Sequence, residues 1–250
     1  LKVTLLDYTG AGTKSPSDYA ARLLIYAKST RLTQGSVLRS IIEVMPKTEI
    51  DRELEAISRT IRSSWEFISY TWQITGVTRA FTHQFVRSRH ASFAQQAMRV
   101  ADMSDFDTLV PIAVKAAGKE KLWELTMGVI AESYKELRKA RVPAQDARGL
   151  LPTNILTNIV ASFNLRAFAD LCGKRDNPRA QDEYSEVVRA MKAEVLAVHP
   201  WTNIFLNPPR TETPHLDKLL RDALGNRSPV DAPEINDALK DVDKLKATWG

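Results

Sequence analysis

From Phe67 through Ala101 the chain has no aspartate or glutamate, and within that interval its hydrophobic period changes. Ile68, Tyr70, Trp72 and Ile74 alternate with Ser69, Thr71, Gln73 and Thr75. This predicts a half-buried strand in an antiparallel sheet. Gly76 reads as the end of that strand, and a helix carrying basic residues is expected to start at once, so the sheet delivers that helix to a fixed place. Charged residues make up 26% of the chain, yet Arg79 to Arg99 holds four arginines, two histidines, three glutamines and no carboxylate. Guanidinium groups without counter-charge repel one another and lose the bidentate pairing their shape provides, so the segment calls for an anionic partner. A solvated basic face or a nucleic-acid patch would share this composition. The spacing favours a ligand phosphate: Gln84 and Arg87 lie one helical turn apart, and Arg87 and Arg89 flank Ser88 where the helix should end. Residues 88 to 99 are then expected as a loop.

Around this segment the periodicities predict an α+β fold, an antiparallel sheet with flanking helices. Lys2 to Tyr8 reads as a first strand closed by a Gly-Ala-Gly turn. Ser15 and Pro16 offer an N-cap and a first helical proline to a helix presenting Tyr19, Leu23 and Tyr26. Residues 50 to 62 form an amphipathic helix through Leu54, Ile57 and Ile61. Lys119 to Arg141 reads as a long helix with Leu122, Leu125, Val129 and Leu137 inward. Ile155 to Ser162 combines β-branched content with i,i+4 spacing, and strand is the favoured reading. Leu165 to Arg175 and Gln181 to Val198 read as helices, the second with Val187, Val188, Met191 and Val195 on its core face. A main domain is thus expected over 1–206. Residues 207–250 are proline-rich and then carry two short amphipathic helices, which predicts a helical C-terminal appendage.

At 250 residues and 44% hydrophobic content the chain can bury a full core. Its net charge of +5 favours anionic partners without choosing among nucleotides, phosphorylated cofactors, nucleic acid and membrane surfaces. One cysteine, Cys172, excludes an intrachain disulfide framework, and the N-terminal apolar run is too short for a signal peptide; a cytoplasmic protein is the expectation. The longest uncharged run, Gly149 to Leu165, is broken by Pro152 and several Asn and Thr residues, so it is not read as a membrane span. His83, His90, His199 and His215 stand at no metal-ligand spacing, so no metal is expected. Walker and Rossmann glycine loops are absent. Cys172, inside a helix, is expected as a buried structural thiol. What remains is a site of guanidinium, amide and hydroxyl groups, suited to a polyanionic cofactor. A second cluster, Asn164, Arg166, Asp170, Lys174 and Arg175, supports this, with Arg166 and Asp170 spaced as an i,i+4 pair.

Phe67 to Arg99 together with Arg148 to Gln181 resembles the flavin-dependent thymidylate synthases. That family's signature is written RHRxxSxNExSxR, often with Gln for Glu, and this chain reads RSRHASFAQQAMR from Arg87 to Arg99. A later block, an Arg before Leu-Pro, then Asn-x-Arg and a further Arg, is matched by Arg148, Leu151, Pro152, Asn164, Arg166 and Arg175, followed by Arg179, Ala180 and Gln181. The resemblance implies catalysis by the 1–206 domain, a homotetramer with sites at subunit interfaces, FAD as prosthetic group, dUMP as acceptor, methylenetetrahydrofolate as one-carbon donor and NADPH as reductant. By position it implies FAD contacts from Ser63, Arg87, Ser88, Arg89, Gln95, Asn164, Leu165, Arg166 and Asp170. Gln84, Phe85, Val86, Arg87, Gln95, Gln96, Ala97, Met98, Arg99, Arg148 and Arg175 would line the nucleotide site, with Arg175 polarising the pyrimidine.

Several positions depart from the family pattern. The signature's middle His is Ser88, its Asn or Ser before the Gln is Ala94, its second Ser is Ala97 and the following Tyr is Val100. Two upstream histidines are replaced by Ile61 and Phe67, while Ser63 and Glu66 are kept, and Asp170 stands for the usual Asn. The arginines for phosphate and pyrimidine all remain. A 5-hydroxymethylated product, dCMP as acceptor, and a basic nucleic-acid-binding protein that has lost catalysis therefore stay open beside conversion of dUMP to dTMP.

Overall fold

The computed structural model describes residues 1–30, 39–41, 43–60, 62–176 and 182–207. Ile61, Arg179, Ala180, Gln181 and the expected helices of the appendage lie outside the described residues. The fold is α+β. Strands β1 (Lys2–Tyr8), β2 (Ser69–Thr78), β3 (Ala91–Gln95) and β4 (Leu156–Asn164) form an antiparallel sheet in the order β1-β2-β4-β3. The long helices are α1 (Pro16–Ser29), α2 (Lys47–Ser58), α3 (Arg79–Phe85), α4 (Glu120–Lys139), α5 (Leu165–Arg175) and α6 (Asp182–Val198). No helix among the described residues is long and apolar enough to cross a membrane.

The alternation read from β2 holds: Ile68, Tyr70, Trp72 and Ile74 are all fully buried, while Ser69 and Gln73 are exposed. Trp72 meets Phe163 of β4 and Phe168 of α5 edge-on or tilted, with ring centroids 6.2 and 4.9 Å away. Gly76 does not end this strand. It sits at φ 68°, in the left-handed region glycine enters without strain, and the pairing with β4 shifts between Thr75 and Val77. The glycine is a bulge residue, and β2 continues to Thr78. The favoured reading of Ile155 to Ser162 as a strand also holds, with β4 extending to Asn164.

Both central strands run directly into helices through a capping side chain. Thr78 Oγ1 accepts a hydrogen bond from the Phe81 amide at 3.0 Å, and Asn164 Oδ1 accepts from the Ala167 amide at 2.8 Å. Thr78 is itself gripped by buried Glu183 of α6, whose carboxylate accepts from the Thr78 amide at 2.7 Å and its hydroxyl at 2.6 Å.

Three other expectations need correction. Residues 88 to 99 are not wholly a loop, because Ala91–Gln95 is the edge strand β3 paired to β4 from Ile159 to Phe163. Its outward Ser92 and Ala94 are small, and of its inward residues Ala91, Phe93 and Gln95 only Phe93 is large and apolar, so the alternation that marks a strand is weak in the sequence. In α1, Ala20, Ala21, Leu24 and Ile25 face the core, whereas Tyr19 is 42% exposed; Ser15 makes no side-chain cap. In α4, Leu122, Leu125 and Val129 are not inward but 63%, 62% and 67% exposed. The C-terminal half of that helix is covered by described residues, where Tyr134 and Leu137 join Met103, Ala147 and Ile155 in a small second core. The predicted α2 and α6 faces are buried as read, through Leu54 and Ile57 and through Val187, Val188, Met191 and Val195.

The chain after α6 returns to the core through His199, which is buried among the rings of Tyr8, Tyr70 and Trp201. Its Nδ1 shares a 2.8 Å hydrogen bond with the Tyr70 hydroxyl. Burial drives its pKa from 6.5 down to about 4. The unfolded chain therefore takes up this proton first, so stability held above pH 6.5 is lost as the pH falls toward 4, on the order of 3 kcal/mol in full. Thermal unfolding at fixed protein concentration is expected to show a fall in midpoint between pH 6.5 and 5 that is much flatter in His199→Gln. Parallel curves for the two proteins would contradict a neutral buried imidazole.

Candidate functional site

The two capped junctions lie at opposite ends of the β2–β4 pair, because Thr78 opposes Leu156 and Ser69 opposes Asn164. Helix α3 and the segment that follows it to His90 together cover that distance. The helix leaves β2 at Thr78, and the chain then reverses at Arg89 and His90 so that Ala91 pairs with Phe163, next to Asn164. His90 makes the reversal in left-handed backbone at φ 62°. The basic end of the first motif is thereby set beside the start of α5, which carries the second cluster.

Between them opens a cavity of about 590 Å³ lined by Glu66, Gln84, Arg87, Ser88, Arg89, His90, Asn164, Arg166, Ala167, Asp170, Leu171, Lys174, Arg175 and Tyr184. Five Lys or Arg side chains face two carboxylates there. Both carboxylates are already engaged: Glu66 accepts from Arg166 at 2.7 Å, and Asp170 accepts from Arg62 at 3.1 Å. Arg166 and Asp170 thus do not form the i,i+4 pair their spacing suggested; each instead ties α5 to the 3-10 turn over Arg62–Phe67. No ion pair joins Arg87 or Arg89 to a carboxylate among the described residues, so the cavity keeps a surplus of positive charge for an anionic ligand.

The structure brings Gln84, Arg87, Ser88 and Arg89 together with Asn164, Arg166, Asp170 and Arg175 on this one cavity. The other candidate residues lie elsewhere. Phe85 and Leu165 are fully buried in the core, so only their backbone can meet a ligand. Val86 is 41% exposed, and Ser63 is exposed on the 3-10 turn. Gln95 donates through Nε2 to Thr82 Oγ1 at 2.8 Å. Gln96, Ala97, Met98 and Arg99 follow β3 at its far end, about 15 Å along the strand from His90 at the usual rise per residue. There the Gln96 amide donates to Asn158, Met98 packs on the second core, and Arg99 is exposed. Arg148 belongs to this far group. Its charge, after burial, is a cause of the lowered pKa of Arg79, whose guanidinium donates to the Gln96 carbonyl at 3.4 Å.

A family model described as Thymidylate synthase complementing protein matches residues 4–201. The chain belongs to that family. Three curated relatives, each named flavin-dependent thymidylate synthase, extend the match. The Geobacter sulfurreducens protein is 33% identical over 78% of this chain and 81% of its own length. The Sulfurisphaera tokodaii protein is 30% identical over 83% and 78%, and the Pyrococcus furiosus protein 31% identical over 78% and 79%, respectively.

Within this family member Ala167, Leu171 and Tyr184 line the cavity without having been expected there, and Tyr184 is the one with a polar group. It lies one turn before Val187 and Val188 on the inward face of α6, and nothing in that spacing separates it from ordinary core. Cys172, by contrast, is the buried structural thiol expected of it: burial, opposed only in part by Lys192, pushes its pKa from 9 up to about 12. At pH 8.5 its thiolate fraction is about a thousandfold below that of an ordinary thiol. Iodoacetamide at that pH is expected to leave the native protein unmodified and to alkylate Cys172 only after denaturation, as read by intact mass. Rapid native labelling would mean a reactive thiol.

Proposed function

We propose that this chain is an FAD-dependent enzyme that transfers a one-carbon unit from methylenetetrahydrofolate to the 5-carbon of dUMP, with NADPH as reductant, to give dTMP. The observation that carries the reading is the meeting of two sequence blocks, Gln84 to Arg89 and Asn164 to Arg175, on one cation-rich cavity. The donor set fits a dinucleotide cofactor. Arg87, Arg89, Arg166 and Lys174 supply charge for its phosphates, and Ser88 and Asn164 supply neutral polar groups. Bound flavin would supply the redox and carbon-carrying chemistry that no side chain here offers, since the thiol of Cys172 is buried and neutral.

The chain's own part is binding and charge stabilisation. Arg175 places a fixed cation where a pyrimidine carbonyl gains negative charge as the ring carbon becomes nucleophilic, and a preorganised cation stabilises that charge without rearranging during the reaction. Arg87 and Gln84 hold the nucleotide beside it. Arg99 and Arg148 lie at the other end of β3, so a nucleotide site using both groups of arginines is completed by a second copy of the chain. The exposed Leu122, Leu125 and Val129 of α4 offer apolar surface for such contact. This supports a homotetramer with shared sites.

Flavin absorbance of the purified protein and formation of dTMP from dUMP test the reading. Arg87→Ala and Arg166→Ala are each expected to lower FAD affinity by roughly tenfold to a hundredfold, as charge-assisted contacts of about 1.5 to 3 kcal/mol imply. Flavin occupancy equal to wild type in both variants would remove that cluster from the cofactor site. A colourless protein with steeply salt-dependent binding to nucleic acid would instead favour a binding protein.

Arg175→Lys tests the chemical role. With saturating nucleotide its turnover is expected to fall by about a hundredfold while nucleotide affinity changes far less. An unchanged rate constant would reduce Arg175 to a helix C-terminal cation.

A further inference from the structure

Arg175 is the last residue of α5, a place where a long flexible side chain would ordinarily sample many rotamers. Here it is held at both ends by two consecutive residues of α6. The Ser185 hydroxyl donates to the Arg175 carbonyl at 2.9 Å, fixing its backbone. Tyr184 lies under its guanidinium, with Cζ 4.5 Å from the ring centroid. That is within the range where a cation is attracted to the ring face. Ser88 and Arg175 also act on the Tyr184 hydroxyl, opposing the rise in its pKa that burial causes, so the ring stands between the end of the first motif and the end of the second.

Tyr184 can act as a fixed plate because it has little freedom itself. It is 1% exposed, and Phe81 and Phe85 of α3 pack edge-on against it, with centroids 5.0 and 6.0 Å away. Its neighbour Glu183 is anchored to Thr78 by two short hydrogen bonds. Yet its ring forms part of the cavity wall. Packed against Phe81 and Phe85 on one side, the ring keeps a fixed face toward the Arg175 guanidinium on the other.

We infer that Tyr184 is a positioning residue: with Ser185 it holds the Arg175 guanidinium over a fixed ring face, aimed into the cavity toward the ligand carbonyl. The inference rests on the reading of Arg175 as the cation that meets the pyrimidine. Tyr184 touches no reacting atom in this role, and its effect passes through Arg175. Losing the ring face frees the guanidinium to turn toward solvent, which weakens stabilisation of developing charge more than it weakens nucleotide binding.

The test is a set of variants of the full chain, loaded with FAD and assayed for dTMP formation from dUMP. Tyr184→Leu is expected to lower kcat about tenfold, the range that a partly desolvated cation–π contact supports, with KM for dUMP changed less than threefold. Tyr184→Phe keeps the face and loses the hydroxyl link, and should recover most of the loss. Tyr184→Met carries the same expectation as Tyr184→Leu if the latter does not fold. In an Arg175→Ala background Tyr184→Leu should cost less than a further twofold, because the group it positions is gone. A readout independent of turnover is the resonance of Arg175 in protein labelled at arginine side chains. It should be shifted upfield by the ring current in wild type and Tyr184→Phe, and return toward the free-arginine position in Tyr184→Leu. Wild-type kcat in Tyr184→Leu, a loss confined to KM, additive losses in the Arg175→Ala background, or an unshifted Arg175 resonance would each overturn the inference. Full activity in Arg175→Ala would overturn both it and the reading on which it rests, whereas an impaired Arg175→Ala with an unaffected Tyr184→Leu would overturn the positioning role alone.

Discussion

The pairing of β2 with β4, from Ser69 opposite Asn164 to Thr78 opposite Leu156, is the contact on which the rest of the molecule depends. It buries Tyr70, Trp72, Ile74, Ile159, Ala161 and Phe163 in one layer, and it sets the two places where strands turn into site-bearing helices. Because the strands are antiparallel, those helices begin at opposite ends. One motif must therefore travel the length of the sheet to meet the other, and α3 with the turn at His90 supplies that path. A slip of one residue in this pairing would reverse the buried and exposed faces of the central strand and separate the motifs together.

The polar groups at the junctions make the arrangement rigid as well as possible. Thr78 both caps α3 and is held by Glu183, so the start of the first motif's helix is locked to α6. Asn164 caps α5, and Glu66 and Asp170 join the opposite flank of that helix to the turn before β2. These two ion pairs are about half exposed and add little to stability individually. Their effect is on charge, since among the described residues they occupy the carboxylates that line the cavity and leave Arg87 and Arg89 without an acidic partner there.

How much of this could be read from the sequence depended on whether a residue's role leaves a periodic trace. The central strand was legible because its inward side chains are large and its outward ones polar. Of the two blocks that line the cavity, the first was conspicuous because its arginines stand without acids, and the order of both resembled a known family. What escaped was structure carried by single residues or by neighbours distant in sequence. Gly76 looks the same in a list of residues whether it ends a strand or bulges within it. The edge strand from Ala91 to Gln95 has one large apolar anchor, Phe93, beside the small Ala91, and takes its register from β4. The stripe of Leu122, Leu125 and Val129 has a core-like spacing, but no described residue of the chain covers it. Tyr184 shares its helix face with valines, and only the fold puts Arg175 above its ring. Arg99 and Arg148 fall with Arg175 in one expected site, yet a single strand's length separates them from it in one copy of the chain.

The left-handed turn at His90 has one further consequence. A residue other than glycine at φ 62° holds a conformation that costs about 1 to 2 kcal/mol in the isolated chain. That cost is met once, on folding, by the pairing of β3 with β4 on one side and the packing of α3 on the other. The donors immediately before the turn, Arg87, Ser88 and Arg89, are consequently displayed on backbone that is already ordered. An anion arriving there does not have to freeze a loop, so the entropy that flexible phosphate-binding loops surrender on binding has here been surrendered beforehand.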